Sequence, residues 1–250
     1  MAHAFGCAAA EYDDLAALQR QIGDRLLTGL PARSLPGWMM DLGAGTGWCS
    51  RHLDRRYPDR PLLVLDIAAG MLRQVQSRSF RNLPGLLVGD MEALPLASGC
   101  AGLVVSNLAL QWCVDPAGAM AEMARVLQPG GRLLLTTFVS GTLEELRQAW
   151  SEVDDYTHVN EFLDVHRLDE YLAAAGFHHW EVSVHTMSLA YDSLLGLFRE
   201  LKGIGAHNVT EHRPRHLMGK GRLRSLEKSY PKVSGRINAS FVVAYVTAIR

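Results

Sequence analysis

The stretch Trp38-Met-Met-Asp-Leu-Gly-Ala-Gly-Thr-Gly47 decides the fold. Its first half is apolar and strand-like, its second half is a glycine loop, and a segment of helical character runs on from Trp48 to Tyr57. A glycine-rich turn between a strand and a helix lets backbone approach a ligand closely, and the helix N-terminus offers amide donors to an anionic group. Outward from this point the alternation repeats. Pro61–Asp66 reads as a strand, Ala69–Arg78 as a helix, Gly85–Val88 and Gly102–Asn107 as strands, Pro116–Leu127 as a helix and Arg132–Phe138 as a strand. Alternating elements with short connections imply crossover units and a parallel sheet with helices on both faces.

The flanks extend this pattern. Glu11–Leu30 has a helical apolar period at Leu15, Leu18, Ile22, Leu26 and Leu27, and Pro31 and Pro36 end it. Gly141–Val153 and Val165–Ala175 read as helices, Trp180–Tyr191 and Ile237–Ile249 as strands, the last inside the sheet because it alternates less than a surface strand. Asp192–Arg236, helical at first and then rich in Arg, Lys, His and Gly, is too long for a hairpin loop. It is expected to lie with the N-terminal helix over the carboxyl edge of the sheet. The expectation is an α/β fold with a seven-stranded, mostly parallel sheet. Residues 1–250 would form a single domain, its core 31–191 and 237–250, its helical cap 1–30 and 192–236.

A chain of 250 residues with 48% hydrophobic and 20% charged side chains has material for a sizeable core, which excludes collagen, coiled coil and disorder. The net charge of −1 provides no global field for nucleic acid. It conceals an asymmetry: Glu144–Glu170 holds nine acids against two bases, Arg199–Arg236 ten bases against three acids. Cys7, Cys49, Cys100 and Cys113 form no Cys-x-x-Cys pair and read as buried cytosolic thiols. No signal-peptide pattern opens the chain, and the uncharged run Ala93–Val114 is broken by Pro95, Gly99 and Gly102. A cytoplasmic protein that meets neither membrane nor nucleic acid is expected.

The candidate ligand site gathers at the strands' carboxyl ends, where open α/β sheets bind ligands. Gly43, Gly45 and Gly47, with Ala44 between them, are spaced Gly-x-Gly-x-Gly, and Trp48 stands where a dinucleotide fingerprint would close on a small residue. Asp41 suits a ligand bearing an ammonium group better than a pyrophosphate. Both points favour S-adenosylmethionine over a nicotinamide dinucleotide. Asp66, nineteen residues after Gly47, can accept both hydroxyls of a ribose or cap the next helix, and Ile67 follows it. Asp90 can accept from an adenine amino group while Met91 packs on the ring, and Asn107 ends the fourth strand at the same edge. Pro129-Gly130-Gly131 reads as a turn.

Together these residues resemble a Rossmann-like class I S-adenosylmethionine-dependent methyltransferase over residues 38–140. A closer resemblance covers nearly the whole chain. Phe5-Gly-Cys-Ala-Ala-Ala-Glu-Tyr12, Ser106-Asn-Leu-Ala-Leu-Gln-Trp112, Thr136-Thr137, Gln148-Ala-Trp150 and Leu201-Lys-Gly-Ile-Gly-Ala206 followed by Arg213 are similar to the biotin-pathway malonyl-acyl-carrier-protein O-methyltransferases. Cys7 departs from the basic residue frequent there. The resemblance implies methyl transfer to the free carboxylate of a malonyl thioester, with S-adenosylmethionine as co-substrate, no metal, and an acidic carrier protein as transient partner. A carboxylate is ionised at pH 7 and needs no general base.

Substrate positioning is expected from Tyr12, Gln111, Trp112, Lys202 and Arg213. Each has a bland alternative: a half-buried Tyr, core packing, or solvated cap charges. The basic cap, Arg222 and Arg224 included, would dock the carrier through complementary charge. His207, His212 and His216 lack an acid or Cys to complete a metal shell, and His178-His179 reads as surface. Two alternatives remain at this point: methylation of another small molecule, such as a quinone precursor or another carboxylic acid, and a non-catalytic cofactor-binding module.

Overall fold

A computed structural model describes residues 5–6, 12–203, 219–233 and 235–250. The elements run α1 (Tyr12–Leu15), α2 (Ala17–Leu27), β1 (Trp38–Leu42), α3 (Trp48–Arg56), β2 (Leu62–Asp66), α4 (Ala69–Gln76), β3 (Gly85–Val88) and β4 (Ala101–Asn107). They continue with α5 (Pro116–Val126), β5 (Leu127–Phe138), α6 (Glu144–Ser151), α7 (Val165–Ala174), β6 (His179–Tyr191), α8 (Leu194–Gly203), α9 (Lys220–Ser229), β7 (Lys232–Val233) and β8 (Arg236–Ile249).

The sheet order is β3-β2-β1-β4-β5-β8-β6, with two-residue β7 pairing on β8. The first five strands are mutually parallel and β8 runs antiparallel to both β5 and β6. The seven-stranded, mostly parallel sheet expected from the alternation is therefore present, with the last strand inside it. Order reverses between β1 and β4, which opens the crevice at their carboxyl ends.

Adjacent strand residues point to opposite faces, and both faces are buried. Met39, Val64, Val105 and Leu134 join one cluster with Leu18 and Ile22 of α2 and Leu53 of α3. Met40, Leu65, Val104 and Leu135 join another with Met120 and Met123 of α5 and Leu168 and Leu172 of α7. Each such side chain stabilises the fold by about 1.5–3 kcal/mol relative to exposure. Strands closed on both sides in this way give the glycine loop a rigid base.

Local expectations change at several points. The N-terminal helix is two helices, because the backbone breaks at Ala16 (φ −90°, ψ 33°) and α2 ends at Leu27. This break lets Tyr12 and Asp13 turn toward the glycine loop. Pro129-Gly130-Gly131 belongs to β5, whose pairing with β4 shifts register between Ala101 and Leu103, while Gly130 (φ +76°) donates to the carbonyl of Arg250. α8 ends against α1, where a Cβ at Gly203 would strike Leu15, and Leu226 of α9 is fully buried. His178 and His179 are exposed, as expected. Cys49, Cys100 and Cys113 are free thiols, Cys49 buried as expected but Cys100 and Cys113 only half-buried, and among the described residues no helix is long and apolar enough to cross a membrane. His207, His212, His216 and Cys7 lie outside the described residues.

Candidate active site

The glycine loop turns tightly because its backbone goes left-handed. Gly43 (φ +67°) lies so close to Ala109 and the Met91 methyl that a Cβ there would overlap both. Gly47 (φ +80°) starts α3. Above Gly45, by contrast, the nearest atom a Cβ would meet is Tyr12 Cε1 at 3.9 Å, which leaves room for a ligand to lie on the backbone.

Asp66 braces this loop. One carboxylate oxygen accepts from the Gly45 N–H at 2.8 Å and the other from the Ala68 N–H at 2.8 Å. Asp66 thus holds the turn leading to α4, whose N-cap is Ala68, and it also lines the cavity. Burial raises its carboxyl above the ordinary range, and these two bonds only partly offset that. Asp41 lies beneath the loop, 1% exposed, and accepts from the Ser50 hydroxyl at 2.5 Å. Burial pushes its carboxyl up to about 7, against the pull of the Ser50 bonds and with a further push from Asp66.

One cavity of about 280 Å³ opens over the crevice. Its near end is lined by Gly43, Gly45, Asp66, Ile67, Asp90 and Met91. Asp90 is exposed and accepts from the Glu92 N–H at 2.9 Å, while Met91 is buried beside it. Glu92 in turn accepts from the N–H groups of Val114 and Asp115, fixing the rim. Asn107 stands at the boundary: its amide oxygen accepts from Thr136 at 2.7 Å and its nitrogen donates to the Gln19 carbonyl at 3.0 Å, tying α2 to the sheet edge.

A small recess of about 40 Å³ adjoins the near end, lined by Asp41, Gln19, Arg20, Gly43 to Thr46, Tyr12 and Asn107, among others. Gln19 is 9% exposed, and its side-chain oxygen is buried with no hydrogen-bond partner. A buried acceptor without a donor is costly unless a ligand supplies one. An orphaned acceptor, a buried carboxyl and the Arg20 guanidinium in one recess fit the ammonium and carboxylate of an amino-acid moiety. With Asp66, Asp90 and Met91 beside them, the donor set fits S-adenosylmethionine.

The far end of the cavity lies past Gln111 and Trp112. Gln111 is fixed by a donation to the Leu108 carbonyl at 2.7 Å and by the Thr137 hydroxyl at 3.1 Å, and Trp112 meets Phe5 edge to face at 5.4 Å. Beyond them Phe138 packs on Phe162 and Phe241. His158 also lines this end, stacked on Trp150 with ring centroids 3.5 Å apart and its Nε2 2.7 Å from Asp154. Burial pulls the Asp154 carboxyl up. The bonds from His158 and the Tyr156 N–H, with the charges of His158 and Arg222, outweigh it and hold the carboxyl below its ordinary range.

The family described as "Methyltransferase domain" matches residues 40–135. A malonyl-[acyl-carrier protein] O-methyltransferase from Methylococcus capsulatus is 46% identical over 246 residues, covering 96% of this chain and 89% of that protein. The enzyme of the same name from Laribacter hongkongensis is 41% identical, covering 98% and 87%. The chain belongs to the malonyl-[acyl-carrier protein] O-methyltransferase family. A putative methyltransferase from Bacillus halodurans shares the fold at a TM-score of 0.64 and 17% identity, covering 92% of this chain and 98% of that one.

Family membership makes the chain an S-adenosylmethionine-dependent methyltransferase, and most of the residues expected at its site converge. Gly43, Gly45, Asp66, Ile67, Asp90, Met91 and Asn107 line the cavity with Tyr12, Gln111 and Trp112, and Asp41 and Ala44 line the recess. Gly47 stands behind them at the start of α3. Lys202 does not join them: it is exposed on α8, and its neighbour Leu201 is the residue that lines the cavity. A helix turns successive side chains about 100° apart, and here Leu201 takes the inward position while Lys202 turns to solvent. Arg213 lies outside the described residues. Arg222 does not simply face solvent; its guanidinium lies 3.9 Å from Asp154 and over the Tyr156 ring. Among the described residues no group of acids, Cys and His could hold a metal ion.

Gln19, Arg20 and His158 were not anticipated. Gln19 and Arg20 sit between apolar positions of a surface helix, where polar residues read as solvated. His158 falls in an acidic stretch with no motif of its own.

Proposed function

We propose that this methyltransferase transfers the methyl group of S-adenosylmethionine to the free carboxylate of a malonyl thioester on an acyl carrier protein, an early step of biotin synthesis. The observation that carries this reading is the single cavity. It joins the glycine-loop cradle to an aromatic enclosure past Trp112, in a chain of this family.

Bound in the cradle, S-adenosylmethionine supplies an electrophilic methyl group on a positively charged sulfur. Asp66 faces the ribose, Asp90 and Met91 the adenine, and Asp41, Gln19 and Arg20 the amino-acid end. The carboxylate oxygen's electron pair forms the new O–C bond as the S–C pair returns to sulfur, so no proton moves. The protein's work is to hold oxygen, carbon and sulfur in line and exclude water. Phe5, Tyr12 and Trp112 close the junction of the two ends, and Gln111, held by two hydrogen bonds, presents a fixed amide there.

In this reading residues 1–250 are one domain, with a cap built from 1–30 and 192–236 over a core of 31–191 and 237–250. Arg224 and Lys228, one turn apart and both exposed on α9, support docking of an acidic carrier. The test is transfer of labelled methyl to malonyl-carrier protein, malonyl-CoA and free malonate side by side. Label on a malonyl thioester is the expected result, and label on neither thioester overturns the proposal.

A further inference from the structure

The acidic stretch that follows β5 contributes one side chain to the cavity that its charge balance does not suggest. Among the described residues lining the cavity, Asp66, Asp90 and Glu92 are acidic, no Arg or Lys is present, and His158 is the one side chain able to carry a positive charge. The proposed substrate is an anion, and an anion in an aromatic enclosure needs a charged or hydrogen-bonding partner.

His158 is built in from several sides. Its ring lies flat on Trp150 of α6, at 5° between the planes. The electron-rich indole face is complementary to a cation above it. Its Nε2 meets Asp154 at 2.7 Å, and since an ionised carboxylate only accepts, Nε2 must carry a proton. Any charge the ring gains therefore comes with a second N–H donor at Nδ1. The loop is pinned as well: Arg147 donates to the Asn160 carbonyl at 3.1 Å and Ser140 to the Phe162 carbonyl at 3.2 Å. Asp154 Oδ2 is buried without a hydrogen-bond partner, with Arg222 of α9 at 3.9 Å, so the dyad also touches the cap.

We infer that His158 is the substrate-carboxylate binding residue of this methyltransferase, with Asp154 positioning its ring. The inference rests on the methyl-transfer reading above. His158 holds one carboxylate oxygen and leaves the other to attack the methyl group. Once the ester forms, the charge is gone and the attraction with it, so the same contact selects malonyl over uncharged acyl thioesters and releases the product.

The test compares His158→Gln with the parent on three carrier-bound groups: malonyl, its methyl ester and acetyl. The KM for malonyl-carrier is expected to rise about tenfold to a hundredfold, the factor carried by one charge-assisted hydrogen bond. Inhibition by the methyl-ester and acetyl carriers stays within about twofold, as does S-adenosylhomocysteine affinity by calorimetry, which reports an intact site. Equal losses for charged and uncharged groups, or no loss, overturn the inference. Should His158→Gln fail to bind S-adenosylhomocysteine, Asp154→Asn carries the test: the malonyl-specific rise in KM is expected again and is reversed in Asp154→Glu, and its absence overturns the inference. A parent enzyme that methylates neither malonyl thioester sinks the functional reading itself. A working parent with an unaltered variant sinks only the role of His158.

Discussion

The Thr46 hydroxyl, on the glycine loop, donates to the Asp13 carboxylate, on the cap, at 2.5 Å. Asp13 also pairs with Arg78 at the end of α4, and its carbonyl accepts from Arg20. One residue of α1 therefore connects the N-terminal helices to the glycine loop and to a recess side chain. Asp13→Ala is expected to weaken S-adenosylhomocysteine binding about tenfold, the scale of one hydrogen bond to a charged group. Calorimetry checks the affinity. Protection of the N-terminal helices from protease by the ligand should weaken with it, and unchanged affinity would show that the cap is merely adjacent.

Asp41 predicts a proton linkage. Its carboxyl titrates near 3.8 in an unfolded chain and is pushed up to about 7 by burial in the folded one. Between those values the folded state holds a proton that the unfolded chain has lost. Stability from this group therefore falls as pH rises through that window and stays at the lower level above it. Asp41→Asn should flatten this slope and be the more stable protein at pH 8. An ammonium group drawn to the carboxylate favours its ionised form, so cofactor binding should release protons, more at pH 6 than at pH 8. Titration calorimetry in buffers of different ionisation enthalpy measures the release, which Asp41→Asn should abolish.

Gly43 and Gly99 share a φ of +67° but have different surroundings. Gly99→Ala, with nothing within 4 Å of the new methyl, should cost about 1 kcal/mol for the left-handed backbone. Gly43→Ala adds overlap with Ala109 and Met91 and should cost roughly 3 kcal/mol or more, together with cofactor binding. Thermal melts with and without S-adenosylhomocysteine separate the two. Equal costs would mean that the loop is not tightly packed.

The cap charges should divide by location. Reversal at Arg224 and Lys228, both exposed, is expected to raise KM for the carrier-bound substrate severalfold at low salt, with the difference shrinking at high salt. Reversal at Arg222, beside Asp154, should in addition lower thermal stability and disturb the His158 pocket. If Arg224→Glu and Lys228→Glu together leave the carrier KM unchanged at every salt concentration, α9 is not the docking face.

Much of this was legible in the chain because period and punctuation are local. The strand before Asp41, the glycines that follow and the acid ending the next strand each announce themselves within a few residues, and the alternation of elements implies crossover units and a parallel sheet. What stayed hidden depends on approach between distant segments. Gln19 looks like a solvated helix position until Asn107, 88 residues on, pins its backbone to the sheet edge. His158 looks like one residue of an acidic loop until Trp150 and Asp154 set its ring at the cavity wall. Lys202 erred the other way. Its motif drew attention to a charge, but the helix carries Leu201 inward and leaves Lys202 in solvent.

If the new bond is to a carboxylate oxygen, the product is a methyl ester, and its chemistry can be read from the fate of the label. Malonyl-carrier protein is incubated with the enzyme and methyl-labelled S-adenosylmethionine, isolated, and treated with mild alkali. A methyl ester releases its label as volatile methanol, and this account predicts that nearly all of the label is recovered so. Label that stays on the malonyl carbon chain, or no label on the malonyl group at all, would contradict it.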